Sequence, residues 1–183
     1  MNIKPGFTSL FNGKDLTGWV GDANYWKVED DAIVGRSVEK LDHNDFLWTE
    51  KEYSDFVMYS EVRIRGFNSG IQFRSVVDEN GRMAGYQADI GNGVWGSIYE
   101  ERLRGVLVPY NQKLTESILL PEDWNEFQIC AVGDYILQIL NGVVTAEIID
   151  PEGAKKGLFG LQLHGGPPQE IAFRNLCIKE LNL

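Results

Sequence analysis

Tyr135-Ile136-Leu137-Gln138-Ile139-Leu140-Asn141-Gly142-Val143-Val144-Thr145-Ala146-Glu147-Ile148 reads as a β-hairpin, and that reading decides the fold class. Two apolar runs flank Asn-Gly, the pair that most readily takes the positive φ angles of a two-residue type I′ turn. Gly133-Asp134 marks a similar turn one strand earlier. Outward from this unit, short segments of period two recur between Gly, Asn, Asp or Pro: Trp26–Val28, Ala32–Gly35, Phe46–Trp48, Phe56–Arg65, Gly70–Arg74, Tyr86–Ile90, Trp95–Glu101, Asn125–Val132, Gly157–His164 and Ile171–Leu181. Helical periodicity is nearly absent. About a dozen strands joined by short turns predict an all-β, two-sheet antiparallel jelly-roll sandwich rather than a parallel α/β sheet. A short helix at Thr49–Ser54 and an ordered loop over Val106–Pro121 complete the expectation.

The 183 residues suit a single domain spanning 1–183, long enough to bury roughly 70% of its unfolded surface. Lys and Arg number 17 against 27 Asp and Glu, a net charge of −10, so a nucleic-acid partner, which demands clustered cations, is not expected. No apolar run approaches the roughly 20 residues needed to cross a bilayer, and no membrane partner is expected either. Met1–Leu10 lacks a signal-peptide pattern. The expected location is therefore cytoplasmic as numbered, or periplasmic or extracellular if a leader was removed. Cys130 and Cys177 lie in strand-like apolar runs, where reduced thiols pack as small hydrophobes. Oligomeric state is left open.

Gly91-Asn92-Gly93-Val94-Trp95-Gly96 matches G-x-G-x-x-G letter for letter. A dinucleotide fingerprint needs a following helix within a βαβ unit, however, and a strand-like run follows here, so the segment reads as a turn.

Successive strand side chains point to opposite faces, so each segment's parity sorts its residues. With Phe159, Leu161 and Leu163 inward, Gln162 and His164 share the other face. By the same rule Gln72 and Arg74, Gln87 and Asp89, and Trp95, Ser97, Tyr99 and Glu101 turn outward, as do Tyr59, Glu61, Arg63 and Arg65. The set is rich in multidentate hydrogen-bonding groups and aromatics and poor in Lys, Thr and Ser. That is the equipment of a groove for polyhydroxylated rings, its rival being an ordinary solvated face.

The chain resembles the 3-keto-disaccharide hydrolase domain family in ordered blocks from about Gly6 to Leu181. The blocks are Gly6-Phe7-Thr8-Ser9-Leu10-Phe11-Asn12-Gly13-Lys14-Asp15-Leu16-Thr17-Gly18-Trp19, Trp26 to Gly35, Asn68-Ser69-Gly70-Ile71-Gln72-Phe73-Arg74 and Gly85-Tyr86-Gln87-Ala88-Asp89-Ile90-Gly91. Trp95 to Glu101, Trp124-Asn125, Leu140-Asn141-Gly142, Leu161-Gln162-Leu163-His164-Gly165-Gly166 and Phe173-Arg174-Asn175 extend it. The resemblance implies a concanavalin A-like jelly roll of the lectin and glucanase type. It also implies a sugar or keto-glycoside substrate whose C3 ketone acidifies C2–H, so that β-elimination at C1 and addition of water give net hydrolysis.

That chemistry asks for a base, an acid and donors at the C3 oxygen. On the resemblance, His164 and Glu101 are the acid–base pair, Arg74 holds the enolate oxygen and Asp89 orients His164 or shares the acid role. Gln87, Gln162, Gln72, Asn68 and Arg65 are expected at the sugar, with Trp95 or Tyr99 stacking on its ring. His43 reads as a solvated loop residue, and His164 can alternatively cap its strand at the Gly-Gly-Pro turn. No cofactor is firmly implied, although a divalent cation on Asp89, Glu101 and His164 is an alternative to Arg74. No Glu-x-Asp-x-Glu carboxylate pattern of a classical jelly-roll glycosidase occurs. A non-catalytic carbohydrate-binding domain using the same face is the main alternative.

Overall fold

The computed structural model describes residues 4–181. In chain order the strands are β1 (Thr8–Ser9), β2 (Trp19–Val20), β3 (Trp26–Glu29), β4 (Ala32–Ser37), β5 (Asp45–Tyr53), β6 (Phe56–Arg65), β7 (Asn68–Val77) and β8 (Met83–Gly91). After β9 (Ile98–Glu101) and β10 (Gly105–Val108) comes the single described helix, α1 (Gln112–Ile118). Then follow β11 (Asn125–Val132), β12 (Tyr135–Leu140), β13 (Val143–Ile149), β14 (Gly157–Leu163) and β15 (Gln169–Glu180). They pair antiparallel into two sheets. The eight-stranded sheet runs β13-β12-β11-β6-β15-β4-β3 with β1 added beside β15, and the seven-stranded sheet runs β10-β9-β8-β7-β14-β5-β2. This is the two-sheet sandwich that the alternating pattern predicts.

The alternation also fills the space between the sheets. Phe127, Ile129 and Ala131 of β11 and Ile136 and Leu140 of β12 are buried, facing Ile71 and Phe73 of β7, Ala88 and Ile90 of β8 and Phe159, Leu161 and Leu163 of β14. Aromatic rings tie the two layers together: Phe56 meets Phe159 edge-on at 4.7 Å between centroids and Phe73 at 6.3 Å, while Phe73 stacks on Tyr86 at 5.3 Å. Burying each such ring contributes roughly 1.5–3 kcal/mol, so the inward half of each period-two pattern drives assembly. At the predicted hairpin, Asn141 (φ 49°) and Gly142 (φ 80°) take the left-handed geometry of a type I′ turn. The Gly91–Gly96 segment is indeed a turn, and both cysteines are free thiols.

Two local expectations are corrected. The residues of Thr49–Ser54 up to Tyr53 belong to β5, not to a helix, because β5 hydrogen-bonds to β14 on one side and β2 on the other. Ladder pairing outweighs the helical preference of Glu50-Lys51-Glu52. The presumed loop 106–121 contains most of β10, which zips onto β9, and α1, whose N-cap Asn111 accepts from Leu114 N at 3.2 Å.

The register also moves three residues expected at the site. A bulge in β7 between Phe73 and Val76, with Arg74 at φ 47°, turns Arg74 away from the outward face. Its guanidinium is buried at the opposite end of the sandwich, donating to Ser54 O (2.8 Å) and Gly133 O (2.8 Å) and pairing with Asp55 (2.9 Å). Trp95 precedes a turn at Gly96 (φ 81°) and stacks in the core on Phe127 at 6.1 Å, so it cannot meet a sugar. Arg65 lies on β6 in the other sheet, where it pairs with Glu170.

A four-membered ionic cluster closes one edge of the sandwich. Arg104 pairs with Glu100 and with Asp150, which also accepts from the Tyr86 hydroxyl. The Arg104 guanidinium holds the Asp150 carboxyl well below the usual carboxylate range. Its stabilising effect is therefore present above the unfolded-state value of about 3.9 and is lost as pH falls through the depressed folded value.

Two outcomes are expected. Arg74→Ala, which orphans two carbonyls and breaks the Asp55 pair, lowers unfolding stability by about 3 kcal/mol in urea titration while leaving the ligand affinity of the folded fraction intact. Asp150→Asn lowers the melting temperature at pH 7, and its deficit against the wild type shrinks as melts are taken toward pH 2.

Candidate functional site

The site lies on the outer face of the seven-stranded sheet. There a cleft of about 600 Å³ is lined by Asn44, Asn68, Gln87, Asp89, Gly93, Val94, Ser97, Tyr99, Glu101, Val106, Pro109, Tyr110 and His164. A second hollow of about 310 Å³ adjoins it, lined by His43, Asn44, Phe46, Arg82, Glu101 and Arg102. Asn44 and Glu101 line both.

The strand order explains why these residues meet. β14 is seated between β7 and β5, and its register places Leu163 opposite Asp45. His164, one residue beyond the strand, thus arrives beside the 42–44 loop. Leu41 bridges to Gly166, and Asn44 Oδ1 accepts from Gly165 N at 2.8 Å, which leaves the Asn44 amide nitrogen to donate elsewhere.

His164 is half-buried, its ring edge-on to Phe67 at 5.4 Å. Its Nδ1 lies 2.6 Å from Gly165 O. A carbonyl only accepts, so Nδ1 carries a proton, and the lone pair of the ring in its neutral form lies on Nε2. The strand-cap reading of His164 thus describes its hydrogen bond, and that bond fixes the tautomer of a ring that also lines the cleft. Gly165 O, not Asp89, is the group that orients it.

Below the cleft runs a chain of directed hydrogen bonds. Ser75 Oγ donates to Gln72 Oε1 (2.7 Å), Gln72 Nε2 to Gln87 Oε1 (2.7 Å) and Gln87 Nε2 to Asp89 Oδ1 (2.7 Å). Ser97 Oγ reaches Asp89 Oδ2 at 2.8 Å and Val94 O at 2.7 Å, and its single proton serves one of them at a time. Gly70 makes room for this chain, since a Cβ there would overlap the Gln87 side chain. Burial pushes the Asp89 carboxyl up to about 6 against the opposing pull of Gln87 and Ser97, with Glu101 adding repulsion. Burial likewise raises Glu101, while the charges of His164 and Arg102 act in the opposite direction.

Of the expected sugar contacts, Asn68, Gln87 and Tyr99 line the cleft. Gln72 does not. It is fully buried beneath Gln87 and supports it from below. Gln162 is also fully buried; its carboxamide lies beside Glu101 and favours that carboxylate's charged form, yet neither amide atom reaches hydrogen-bond geometry with any partner. Ser97, read as outward-facing, lines the cleft; Asn44 and Tyr110 join it without having been singled out, and His43, read as a solvated loop residue, sits exposed on the rim of the smaller hollow. The Asp42-His43-Asn44-Asp45 loop holds a usable signal, two polar side chains just before a strand, but only the β5–β14 pairing gives it a place.

The cation alternative on Asp89, Glu101 and His164 has no preformed ligand set in this arrangement. Both Asp89 oxygens already accept hydrogen bonds, and no group of three or more His, Cys, Asp or Glu among the described residues is arranged to hold a metal ion. The cleft offers an imidazole, two carboxyls whose charged forms burial disfavours, and amide and phenol donors. That set can move protons and hold hydroxyls.

No curated protein is similar to the chain in sequence. Among solved structures, a protein of Parabacteroides distasonis ATCC 8503, provisionally named a glycosyl hydrolase, superposes with a TM-score of 0.73 at 23% identity, over 97% of this chain and 94% of that one. A carbohydrate-binding module of Bacillus subtilis gives 0.62 at 19% identity, over 92% and 98%. A galectin-like Bacillus subtilis protein of unknown function gives 0.64 at 10%, over 89% of each. At these identities the likeness is one of fold. The sequence itself goes further, since residues 6–179 match the 3-keto-alpha-glucoside-1,2-lyase-like domain, and the chain belongs to that carbohydrate-related family.

Proposed function

We propose that the protein cleaves glycosides already oxidised to a ketone at C3, and that the scissile bond lies over Glu101. The observation that carries this reading is the tautomer of His164: with Nδ1–H on Gly165 O, a basic Nε2 is left in the same cleft as a carboxyl raised by burial. His164 Nε2 takes the proton from C2, whose acidity the ketone supplies, and the electron pair moves onto the C3 oxygen. Collapse of that enolate breaks the C1–O bond, and the departing oxygen takes its proton from Glu101. Water then adds across the C1–C2 double bond, hydroxyl to C1 and proton to C2, so one water is consumed for each bond cut.

Glu101 suits the acid role because it lines both hollows, where a bond between a sugar in the larger and its leaving group in the smaller would pass. Arg74 is too remote to serve the enolate. Asn44 and Asn68 are the neutral amide donors in the cleft wall, and pre-aimed donors of this kind stabilise developing oxyanions by about 3–4 kcal/mol each. Gln87, Tyr99 and Tyr110 would bind hydroxyls, with Asp89 accepting from them. The shared fold of a carbohydrate-binding module favours a second reading, in which the cleft binds sugar without turnover.

Incubation with a 3-keto glucoside and with its unoxidised parent separates the two readings: turnover of the keto sugar alone is expected, and turnover of neither leaves a binding module. His164→Ala should lower kcat about 10²-fold or more with sugar affinity within a few-fold of the wild type. On the alkaline side kcat/KM should fall as Glu101 loses its proton, at a pH higher than that of an unburied glutamate. Glu101→Gln should abolish that limb and slow alkyl glycosides far more than nitrophenyl ones, whose leaving groups need no proton; an unchanged pH profile would remove Glu101 from the acid role.

A further inference from the structure

We infer that the smaller hollow is an anion subsite, which takes a leaving group bearing a carboxylate, sulfate or phosphate, with Arg82 as the residue that sets this preference. The inference rests on the placement of the scissile bond over Glu101.

The argument begins with charge. In a chain of net charge −10, a cation facing a hollow without a counter-ion is a local reversal of the overall charge. Two arginines, Arg82 and Arg102, line this one. Arg102 sits in the β9–β10 turn at φ 59°, a conformation that costs a non-glycine residue about 1 kcal/mol or more. It is held there by Asp78 at 2.8 Å. The same Asp78 carboxylate accepts the backbone N–H of Asn80 and of Arg82, each at 3.0 Å, which shapes the β7–β8 loop. Asp78 is therefore committed to Arg102 and to its own loop, and among the described residues the Arg82 guanidinium makes no ion pair. An exposed guanidinium without a counter-ion, on a loop whose backbone Asp78 anchors at the rim of a pocket, is a receptor for a bidentate oxyanion.

The acidic residue of the hollow does not oppose this. Glu101 is a carboxyl that burial inclines toward its neutral form, and that is the form the proposed acid role uses. A volume of about 310 Å³ accommodates a substituted phenyl or a second sugar ring. The substrate class narrows accordingly, from keto-glycosides in general to those with an anionic aglycone.

The test compares two 3-keto glucosides whose leaving groups differ only in charge, 4-(carboxymethyl)phenyl and 4-(carbamoylmethyl)phenyl, the methylene insulating the phenol from the change. The carboxylate is expected to be favoured in kcat/KM by about 5–10-fold at low salt, and the ratio should shrink near 0.5 M salt. Arg82→Ala should bring the ratio toward one, and Arg82→Glu should invert it. A wild-type ratio of one, or a ratio that neither variant changes, overturns the inference. Sulfated and phosphorylated analogues show which anion is preferred. If neither compound is turned over, the reaction proposed above fails. The subsite is then judged by calorimetry on the two unoxidised glucosides: an Arg82-dependent preference for the carboxylate upholds it, and equal affinities reject it.

Discussion

Seating β14 between β7 and β5 is the constraint on which the site depends. The three strands come from distant parts of the chain, and their antiparallel pairing converts sequence separation into contact. It delivers His164 to the 42–44 loop, lays Gln162 beside Glu101 and joins Leu41 to Gly166. A one-residue slip of β14 would exchange Leu161 and Leu163 for Gln162 on the core face, burying a carboxamide between the sheets and exposing two leucines. The hydrophobic cost of that exchange is what holds the imidazole in place.

Polar groups beneath the cleft are organised at some cost to stability. Gln72, Gln87 and Asp89 are almost wholly buried, and each carries a desolvation penalty that the hydrogen-bond chain offsets. The same burial that makes these groups expensive raises the carboxyls of Asp89 and Glu101 toward the pH at which proton transfer is useful. Gln162 is the exception. Its two amide atoms make no hydrogen bond, which leaves a buried donor and acceptor beside Glu101.

The sandwich alone does not choose a chemistry. A provisional glycosyl hydrolase and a carbohydrate-binding module share it, so the distinction between cutting and holding a sugar rests on a few side chains above one sheet. In this chain those side chains include a histidine of fixed tautomer and a carboxyl placed where two hollows meet.

Period-two alternation, the Asn141-Gly142 turn and the parity of β8, β9 and β14 could be read directly from the chain, because side-chain alternation and turn φ preferences are local properties of backbone geometry. By that reading Gln87, Asp89, Tyr99, Glu101 and His164 share one face, as they do in the folded protein. Parity failed at Arg74 and Trp95, where a bulge and a glycine turn interrupt the alternation, and it could not tell that Arg65 belongs to the other sheet. Strand order, the buried position of Gln72 and Gln162, the arrival of Asn44 and Tyr110, and the pairing that leaves Arg82 without a counter-ion were settled only in three dimensions. Each depends on which distant segment lies alongside, and the free energy of non-local packing, not local preference, decides that.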